Sequence, residues 1–311
     1  MTQSVLSALT GALTAACIPV TTGEPLAHHT TFGIGGPAAL CAMPSSIEQL
    51  TAALDAWRAF GDGCPLCVLG RGSNVLVSDD GFDGLCVLTG GAAGMTFGDD
   101  GTVTAECGVP LTTLAAACAR DGTALSGLEF AYGIPGSVGG AVAMNAGAFG
   151  GEMAEVVASA ACYDLTSGRK FTLEAPDLGF SYRRSFLSGR TDLVLLSAVM
   201  RLAPGSVQSI RTVMDRNMAA RREKQPLRWP SAGSVFKRPD ADGVYVGRMV
   251  EDCGLKGYTV GGAQVSEKHA GFIINRGGAT CADVLAVIDR VKAAVRERYG
   301  YDLVCEIRRI P

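Results

Sequence analysis

The segment from Ser126 to Met153 reads SGLEFAYGIPGSVGGAVAMNAGAFGGEM, a dense run of glycine in a chain that has 41 glycines. Five of the eight residues from Gly133 to Gly140 are glycine or proline, which predicts a loop with little steric cover. Backbone N–H groups of such a loop can approach a diphosphate closely. The loop lacks the Gly-Lys-Ser/Thr end of a Walker loop, and no acidic residue on a following strand completes a dinucleotide fingerprint.

Two further glycine turns lie nearer the start of the chain. Gly70-Arg71-Gly72-Ser73-Asn74 follows an apolar strand, and Gly33-Ile34-Gly35-Gly36 is the other turn. Taken alone, the Gly70 to Asn74 segment fits an ordinary β-turn better than a phosphate site. Three such turns in one region nevertheless favour a cofactor that carries phosphate.

Length and composition limit the number of domains and the class of protein. A chain of 311 residues exceeds what one hydrophobic core usually serves, so two domains are expected. Hydrophobic residues make up 48% and charged residues 18%, as in a well-packed globular protein. The net charge of −3 gives no overall attraction to nucleic acid or to an anionic membrane. A polyanionic ligand must therefore be held locally.

Hydrophobic periodicity predicts helices and strands in both halves of the chain. A capping pattern at Ser45 and Glu48 opens a helix that ends at Gly61, and Pro110 stands in the first turn of another. The predicted helices are about 45–60, 110–120, 206–222 and 281–298, and the predicted strands are about 67–69, 75–77, 85–88, 156–163, 193–202 and 302–309. The sequence thus predicts an α+β protein.

The cysteines and the first twenty residues indicate in which compartment of the cell the protein is found. The eleven cysteines are an odd number without a secretory pattern, so we expect reduced and mostly buried thiols. Cys64-x-x-Cys67 runs into apolar residues, which fits a packed strand entrance better than a zinc or redox site. A signal peptide would have Lys or Arg before its apolar stretch, and no such residue precedes the apolar start of this chain. The apolar start is also too short to span a membrane. We expect a cytoplasmic protein.

Several long motifs resemble, in order, those of the UDP-N-acetylenolpyruvoylglucosamine reductase family. They are HTTFGIGG from His29, LGRGSNVLVSDDGFDG from Leu69, the opening segment from Ser126, YRRSF from Tyr182, AGSVFK from Ala232, GGAQ from Gly261, KHAGF from Lys268 and, as the last motif, LVCEIRR from Leu303. The likeness runs from about residue 28 to residue 309. Motifs of this length are very specific.

The resemblance implies a two-lobed FAD-binding domain of the vanillyl-alcohol-oxidase (PCMH) type, followed by a C-terminal α+β substrate-binding domain. The sequence places the first domain at residues 1–204, with lobes at about 1–69 and 70–204, and the second at 205–311. The family holds FAD without a covalent link, so His28 and His29 are expected to be turn residues. NADPH is the expected co-substrate, although NADH remains open. No metal site is expected, while a bound monovalent cation remains open.

Carried over by position, the resemblance implies that the glycine turns hold FAD. The expected cofactor contacts are Arg71, Gly72, Ser73, Asn74, Gly133, Ile134, Gly136, Ser137, Gly139, Gly140 and Asn145. The family cycle is of the ping-pong type, in which NADPH reduces the flavin and leaves, and the substrate then receives hydride from flavin N5. The substrate that the resemblance implies is the enolpyruvyl ether of UDP-N-acetylglucosamine.

Three catalytic residues follow from the same resemblance. Arg183 would stabilise the negative charge that builds on the substrate acid, Ser234 would donate a proton, and Glu306 completes the set. Taken in isolation, Arg183 would instead read as one member of a solvated arginine pair, Ser234 as a capping or turn hydroxyl, and Glu306 as an exposed strand residue. Their positions inside the motifs favour the catalytic interpretation.

Substrate contacts are expected from the end of the predicted 206–222 helix and from the C-terminal motifs. The expected residues are Lys224, Gln225, Lys237, Arg238, Tyr258, Lys268 and His269. Many family members have Asn in place of Arg238. The stretch between Arg183 and Ser234 is too short for the inserted tyrosine loop of one subgroup, so the chain resembles the subgroup without it.

Two other functions remain open at this stage. A flavin oxidase of the same fold would turn over with oxygen, and a non-catalytic flavin or sugar-nucleotide binder would oxidise no NADPH. No nucleic-acid or membrane partner is expected, and we expect a monomer.

Overall fold

The computed structural model describes residues 1–239 and 243–311. The backbone packs into two compact units, each of them discontinuous in sequence. Unit 1 comprises Met1–Glu24, Ala39–Arg71 and Asp83–Ala219, and unit 2 comprises Pro25–Ala38, Gly72–Phe82 and Ala220–Pro311. The units are defined by backbone packing and not by what they bind, so the domain boundaries expected from the sequence stay a prediction.

Seven α-helices and nineteen strands are formed by the described residues. The helices are α1 (Gln3–Ala15), α2 (Ile47–Phe60), α3 (Leu111–Cys118), α4 (Val138–Met144), α5 (Val207–Lys224), α6 (Val246–Asp252) and α7 (Cys281–Tyr299). The strands are β1 (Val20–Pro25), β2 (Pro37–Ala42), β3 (Leu66–Leu69), β4 (Val75–Val77), β5 (Phe82–Leu88), β6 (Met95–Phe97), β7 (Thr102–Glu106), β8 (Leu125–Ser126), β9 (Gly147–Ala148), β10 (Gly151–Glu152), β11 (Val157–Asp164), β12 (Lys170–Glu174), β13 (Leu193–Arg201), β14 (Ala203–Pro204), β15 (Ser231–Ser234), β16 (Thr259–Val260), β17 (Ala263–Val265), β18 (Phe272–Asn275) and β19 (Arg308–Ile310). The mixture confirms the predicted α+β class.

Unit 1 is built on two main sheets. A four-stranded sheet has the order β1-β2-β5-β3, with β3 parallel to β5. A five-stranded antiparallel sheet has the order β12-β11-β13-β7-β6. Helix α2 buries Leu50 and Leu54, is capped by the Ser46 hydroxyl, and ends at Gly61. Local capping and periodicity explain this helix, but the predicted cap was wrong by one residue: Ser46, not Ser45, caps α2 by accepting from the Gln49 N–H, and Ser45 bonds to the Gln49 side chain.

Unit 2 has its own hydrophobic core around an antiparallel sheet of order β15-β18-β17-β16. Helix α7 begins with a capping box between Thr280 and Asp283 and buries Val284, Ile288 and Val291. Strand β19 pairs in parallel with β4, which lies more than two hundred residues earlier. This pairing brings the last motif of the chain to the early turn at residues 72–74.

Two predictions of secondary structure were wrong. The terminal strand was expected over 302–309, but regular pairing covers only β19, because residues 303–306 form an irregular segment with one isolated bridge at Cys305. The segment from Gly133 to Gly140 was expected to be a loop throughout, but α4 begins at Val138. A side chain at Gly139 would press on Cys107, so the small residue permits close packing that favours a helix here.

The described residues contain no helix with the length and apolar character needed to cross a membrane. Among the same residues, no cluster of three or more His, Cys, Asp or Glu side chains has the arrangement of a metal site. Seven of the eleven cysteines are buried, in line with their predicted role as small hydrophobic residues.

Candidate active site

The structure brings two of the predicted glycine segments of unit 1 into contact. A Cβ at Gly70 would lie within 3.0 Å of the Ser137 hydroxyl oxygen, closer than real Cβ atoms come. The Arg71 Nε donates a hydrogen bond of 3.0 Å to the carbonyl of Pro135. Glycine at position 70 thus lets the end of β3 lie directly on the segment that opens α4.

Hydrogen bonds to Leu111 and Thr112, at the start of α3, hold the segment from Gly133 to Ser137 in place. The N–H of Gly133, which has a φ of +86°, donates to the Thr112 hydroxyl at 3.0 Å. The N–H of Leu111 donates to the Gly136 carbonyl at 2.9 Å. The Ser137 hydroxyl caps α4 by accepting from the Gly140 N–H at 3.5 Å. The segment is therefore preorganised before any ligand binds.

Three backbone N–H groups in this part of unit 1 donate to no acceptor within residues 1–239 and 243–311. They belong to Arg71, Gly136 and Ser137. Such groups, next to a guanidinium, suit an anion that bears several oxygen acceptors. The donor set therefore fits a diphosphate. The Gly139 N–H is not part of it, because it donates to the Cys107 carbonyl at 2.8 Å.

In unit 2, residues 72–74 are fixed against the chain near His29 and Glu306. Gly72 has a φ of +59°, and a side chain there would collide with the His29 carbonyl. The side-chain amide of Asn74 donates to the Glu306 carbonyl at 3.2 Å, and the Arg308 N–H donates to the Asn74 carbonyl at 2.9 Å. The sequence did not predict this link between Asn74 and the last motif.

Asn145 is fully buried at the C-terminal end of α4, with a left-handed backbone (φ +48°, ψ +60°). Its side-chain amide donates to the Ser181 carbonyl at 3.0 Å and accepts from the Ala154 N–H at 2.9 Å. The cofactor contact expected for Asn145 stays a prediction, and these bonds leave its side chain engaged with the protein.

Arg183 lies at the third position of a tight turn from Ser181 to Arg184. Ser181 and Arg184 exchange two backbone hydrogen bonds of 2.9 and 3.0 Å, and Arg183 has a φ of +53°. Its Nη2 donates to the Gly147 carbonyl at 2.9 Å, and its guanidinium lies 5.1 Å from the centre of the Tyr182 ring. A left-handed conformation usually belongs to glycine, so the surroundings hold this arginine in a strained position.

Ser234 and Glu306 lie on adjoining backbone segments of unit 2. Ser234 ends β15, pairs with Phe272 across the sheet, and is exposed. The Glu306 N–H donates to the Val235 carbonyl at 2.7 Å, which places the half-buried glutamate beside the strand that carries the serine. The structure therefore brings these two predicted residues together.

The predicted substrate contacts in unit 2 fall around the end of α5. The Lys268 ammonium donates to the Arg222 carbonyl, and the Gln225 side chain accepts from Arg221 at 3.3 Å. Lys224 is exposed at the last position of the helix. These residues form a basic region, in which Gln225 and Lys268 are held by the helix end.

The burial of Arg221 was not predicted from the sequence. It is only 6% exposed, and burial lowers the pKa of its guanidinium. The signal was present in the spacing, because Ile210, Met214 and Asn217 form the buried stripe of α5 and Arg221 continues it. An arginine on a buried stripe points to function or to a specific polar contact.

The remaining predicted contacts occupy different settings in unit 2. Lys237 and Tyr258 are half-buried, and Arg238 is exposed. The Nδ1 of His269 accepts from the Gly271 N–H at 3.1 Å. Burial lowers the pKa of His269 below its ordinary value of 6.5, and the nearby charge of Lys256 adds to the shift. His269 is therefore held neutral, with Nε2 as the nitrogen that carries the proton.

Two family models match the chain. One, described as an FAD binding domain, matches residues 38–173, and the other, described as the C-terminal domain of UDP-N-acetylenolpyruvoylglucosamine reductase, matches residues 225–310. Together they support the predicted pairing of an FAD-binding domain of the vanillyl-alcohol-oxidase type with a C-terminal domain.

Relatives match over nearly the full length. The UDP-N-acetylenolpyruvoylglucosamine reductase of Moorella thermoacetica is 45% identical over 303 residues, which is 97% of this chain and 97% of the relative. That of Pseudothermotoga lettingae is 45% identical over 285 residues, or 91% and 95% of the two chains. A crystal structure of the enzyme from Thermus caldophilus superposes with a TM-score of 0.76 at 34% identity, covering 94% of this chain and 99% of the other.

Proposed function

This chain belongs to the UDP-N-acetylenolpyruvoylglucosamine reductase family, and from that membership we propose how its residues share the work of the reaction. The reaction reduces the enolpyruvyl ether of UDP-N-acetylglucosamine to UDP-N-acetylmuramate, a step of peptidoglycan precursor synthesis. FAD is the cofactor and NADPH the reductant. When bound, FAD would supply the hydride-transfer chemistry that links NADPH to the enolpyruvyl substrate, in a cycle of the ping-pong type.

The observation that carries the proposal is the identity of 45% with a named reductase over 97% of both chains. On this basis we assign FAD binding to residues 1–204, with lobes at about 1–69 and 70–204, and substrate binding to residues 205–311. The spans of the two family models support this division.

The diphosphate of FAD is assigned to the glycine segments. In unit 1, the free N–H groups of Arg71, Gly136 and Ser137 supply donors, and the Arg71 guanidinium supplies charge. Gly133, Ile134, Gly139 and Gly140 shape this segment, while Gly72, Ser73 and Asn74 supply the following turn. Packing on Cys107 explains why position 139 is a glycine even though its N–H is engaged.

Arg183 is assigned to the substrate carboxylate. As hydride reaches the terminal carbon of the enolpyruvyl group, negative charge builds on the acid portion, and a planar guanidinium can pair with it through two hydrogen bonds. The Gly147 carbonyl orients the guanidinium through Nη2. Arg183 therefore stabilises the enolate-like intermediate.

Ser234 is assigned as the proton donor and Glu306 as its neighbour in the site. The serine hydroxyl is exposed, and a carbanionic intermediate is a strong enough base to take its proton. The backbone bond from Glu306 to Val235 supports a joint role. The UDP diphosphate is assigned to Lys224 and Gln225, and further substrate contacts are assigned to Lys237, Arg238, Tyr258, Lys268 and His269.

The test separates the two half-reactions. Mixing anaerobic holoenzyme with NADPH should bleach the flavin, and adding the enolpyruvyl substrate should restore its colour. Ser234→Ala should leave bleaching unchanged and slow recolouring by about 10²-fold or more, as for a lost general acid. Ser231→Ala, on the same strand, is the matched control and should recolour normally.

Other outcomes would point elsewhere. A protein that does not bleach with NADPH is not this reductase, and rapid turnover with oxygen would favour a flavin oxidase of the same fold. Equal loss of both half-reactions in Ser234→Ala would contradict the proton-donor role. We further place the protein in the cytoplasm as a monomer, which size-exclusion chromatography and cell fractionation would test.

A further inference from the structure

Helix α4 connects two parts of unit 1 that the proposed function uses separately. Its N-terminal end is capped by Ser137 in the glycine segment, and its C-terminal end is capped by Asn145. The turn that carries Arg183 packs against this C-terminal end. The contacts between them are made by side chains that no catalytic assignment includes.

Asn145 makes the most buried of these contacts. Its side-chain amide reaches the Ser181 carbonyl, which also accepts the Arg184 N–H that closes the turn. Its side-chain oxygen is fixed by the Ala154 N–H. The side-chain oxygen of Asn145 is thus fixed by Ala154, and its side-chain NH₂ group holds the turn that carries Arg183.

Two serines on the other side of Arg183 bind the same helix end. The Ser185 and Ser188 hydroxyls donate to the Ala143 carbonyl at 2.9 and 2.6 Å. This carbonyl belongs to the last turn of α4, where helical carbonyls lack a partner within the helix. The turn is therefore held from both flanks.

This support is needed because the Arg183 backbone is strained. A non-glycine residue in the left-handed region persists only where the surrounding structure determines it. The Nη2 bond to Gly147 joins the same region, since Gly147 lies two residues after Asn145. The turn that carries Arg183 is thus held by the end of α4, and the Arg183 guanidinium by Gly147 in the strand β9 that follows.

We propose that Asn145 is a positioning residue for Arg183, holding the strained turn so that the guanidinium meets the substrate carboxylate. This inference rests on the proposed role of Arg183 and deepens it. It replaces the FAD contact that the family resemblance implied for Asn145, because both ends of the side-chain amide bond to the protein, and it gives the amide a function in the second half-reaction and none in the reduction of the flavin.

The test uses Asn145→Asp in the holoenzyme. The aspartate is nearly the same size, and its ionised form can still accept from the Ala154 N–H but cannot donate to the Ser181 carbonyl. Stopped-flow measurement should show flavin bleaching by NADPH within about twofold of the wild type. Recolouring by substrate should slow about 10- to 100-fold, since a displacement of about 1 Å can cost that much.

Asn217→Asp is the matched control. Asn217 is also buried in unit 1, at 5% exposure, and its amide also donates to one backbone carbonyl, that of Glu129. It makes no bond to the Arg183 turn. Recolouring should therefore stay within about twofold of the wild type, even if the substitution lowers the melting temperature as much as Asn145→Asp is expected to.

A double-mutant cycle separates positioning from general damage. If Asn145 acts through Arg183, then Asn145→Asp should slow recolouring no further once Arg183→Ala is present. Additive losses would overturn the inference, as would a slower bleaching step or weaker FAD binding by the Asn145→Asp apoprotein. If Asn145→Asp does not fold, Ser188→Ala must show the same selective loss, or the inference fails.

The same measurements distinguish a failure of the role proposed for Arg183 from a failure of the inference about Asn145. Normal recolouring by Arg183→Ala would refute the role of Arg183 and the inference with it. Slow recolouring by Arg183→Ala with normal recolouring by Asn145→Asp would refute the inference alone.

Discussion

Replacing Gly70 by alanine would separate the two glycine segments that the proposed FAD site requires. The new Cβ would lie within 3.0 Å of the Ser137 hydroxyl oxygen and 3.3 Å from the Ser137 Cβ. Ser137 is only 2% exposed, so it has little space into which to move. Either the hydroxyl leaves its capping position or the end of β3 moves away from α4.

Both responses have a known scale. Overpacking costs about 1–3 kcal/mol, and loss of an N-cap about 0.5–2 kcal/mol. We expect Gly70→Ala to lower the free energy of unfolding of the apoprotein by about 1–3 kcal/mol, and its melting temperature by roughly 2–10 °C. FAD affinity should fall about 10-fold, a loss of roughly 1.4 kcal/mol.

The assay is a double-mutant cycle of Gly70→Ala and Ser137→Ala. Each variant is measured by thermal unfolding and by FAD titration of the apoprotein. Because Ser137→Ala removes the obstructing oxygen, the double variant should be more stable than the sum of the single losses predicts, by about 1 kcal/mol. Gly90→Ala is the matched control, since no atom lies within 4 Å of a Cβ there. Additive losses in the cycle, or a Gly70→Ala variant as stable as Gly90→Ala, would refute the reasoning.

Two further changes test other parts of the chain. Gly11→Ala should stabilise the protein by about 0.5–1 kcal/mol, because Gly11 is exposed within α1 and a Cβ there meets no atom within 4 Å; an unchanged melting temperature would contradict this. His269 has a pKa lowered by burial in the folded state, so the stability linked to its neutral form is present above pH 6.5 and is lost as the pH falls through the folded pKa. His269→Asn can still accept a backbone hydrogen bond, and its free energy of unfolding should depend less on pH below 6.5 than that of the wild type.

Elements with their own caps and periodic stripes were predictable from the sequence. Helices α2 and α7 begin and end within two residues of the predicted positions, because Ser46, Gly61 and Thr280 act locally. Helix α1 was missed, since its apolar residues were considered only as a leader segment. Leu9 and Leu13, which are fully buried, show that they belong to a core.

Helix α4 could not be predicted because its stability comes from distant residues. Two glycines at positions 139 and 140 oppose a helix by their intrinsic preference. The close approach of Cys107 and the cap of Ser137 outweigh that preference. Local propensity is a weak guide where tertiary packing decides.

In the candidate site, too, some features were predictable from the sequence and others depend on the fold. The motifs identified Arg183, Ser234 and Glu306, but nothing in the letters YRRSF indicates that Arg183 has a positive φ. Asn145 holds the turn through the Ser181 carbonyl and Gly147 accepts from the guanidinium, and both residues lie some forty residues away. The adjacency of Glu306 to Val235 likewise required the fold, since more than seventy residues separate them.

The parallel pairing of β19 with β4 affects the order in which the protein folds during its synthesis. Val75–Val77 leaves the ribosome early, and its partner Arg308–Ile310 is made about 230 residues later. At 5–20 residues per second, this apolar strand waits roughly 10–50 s for its neighbour. During that interval its unpaired edge can be bound by other nascent chains or by chaperones. Unit 2 therefore finishes folding only after translation has passed residue 310, whereas most of unit 1 can fold while the ribosome is still at work.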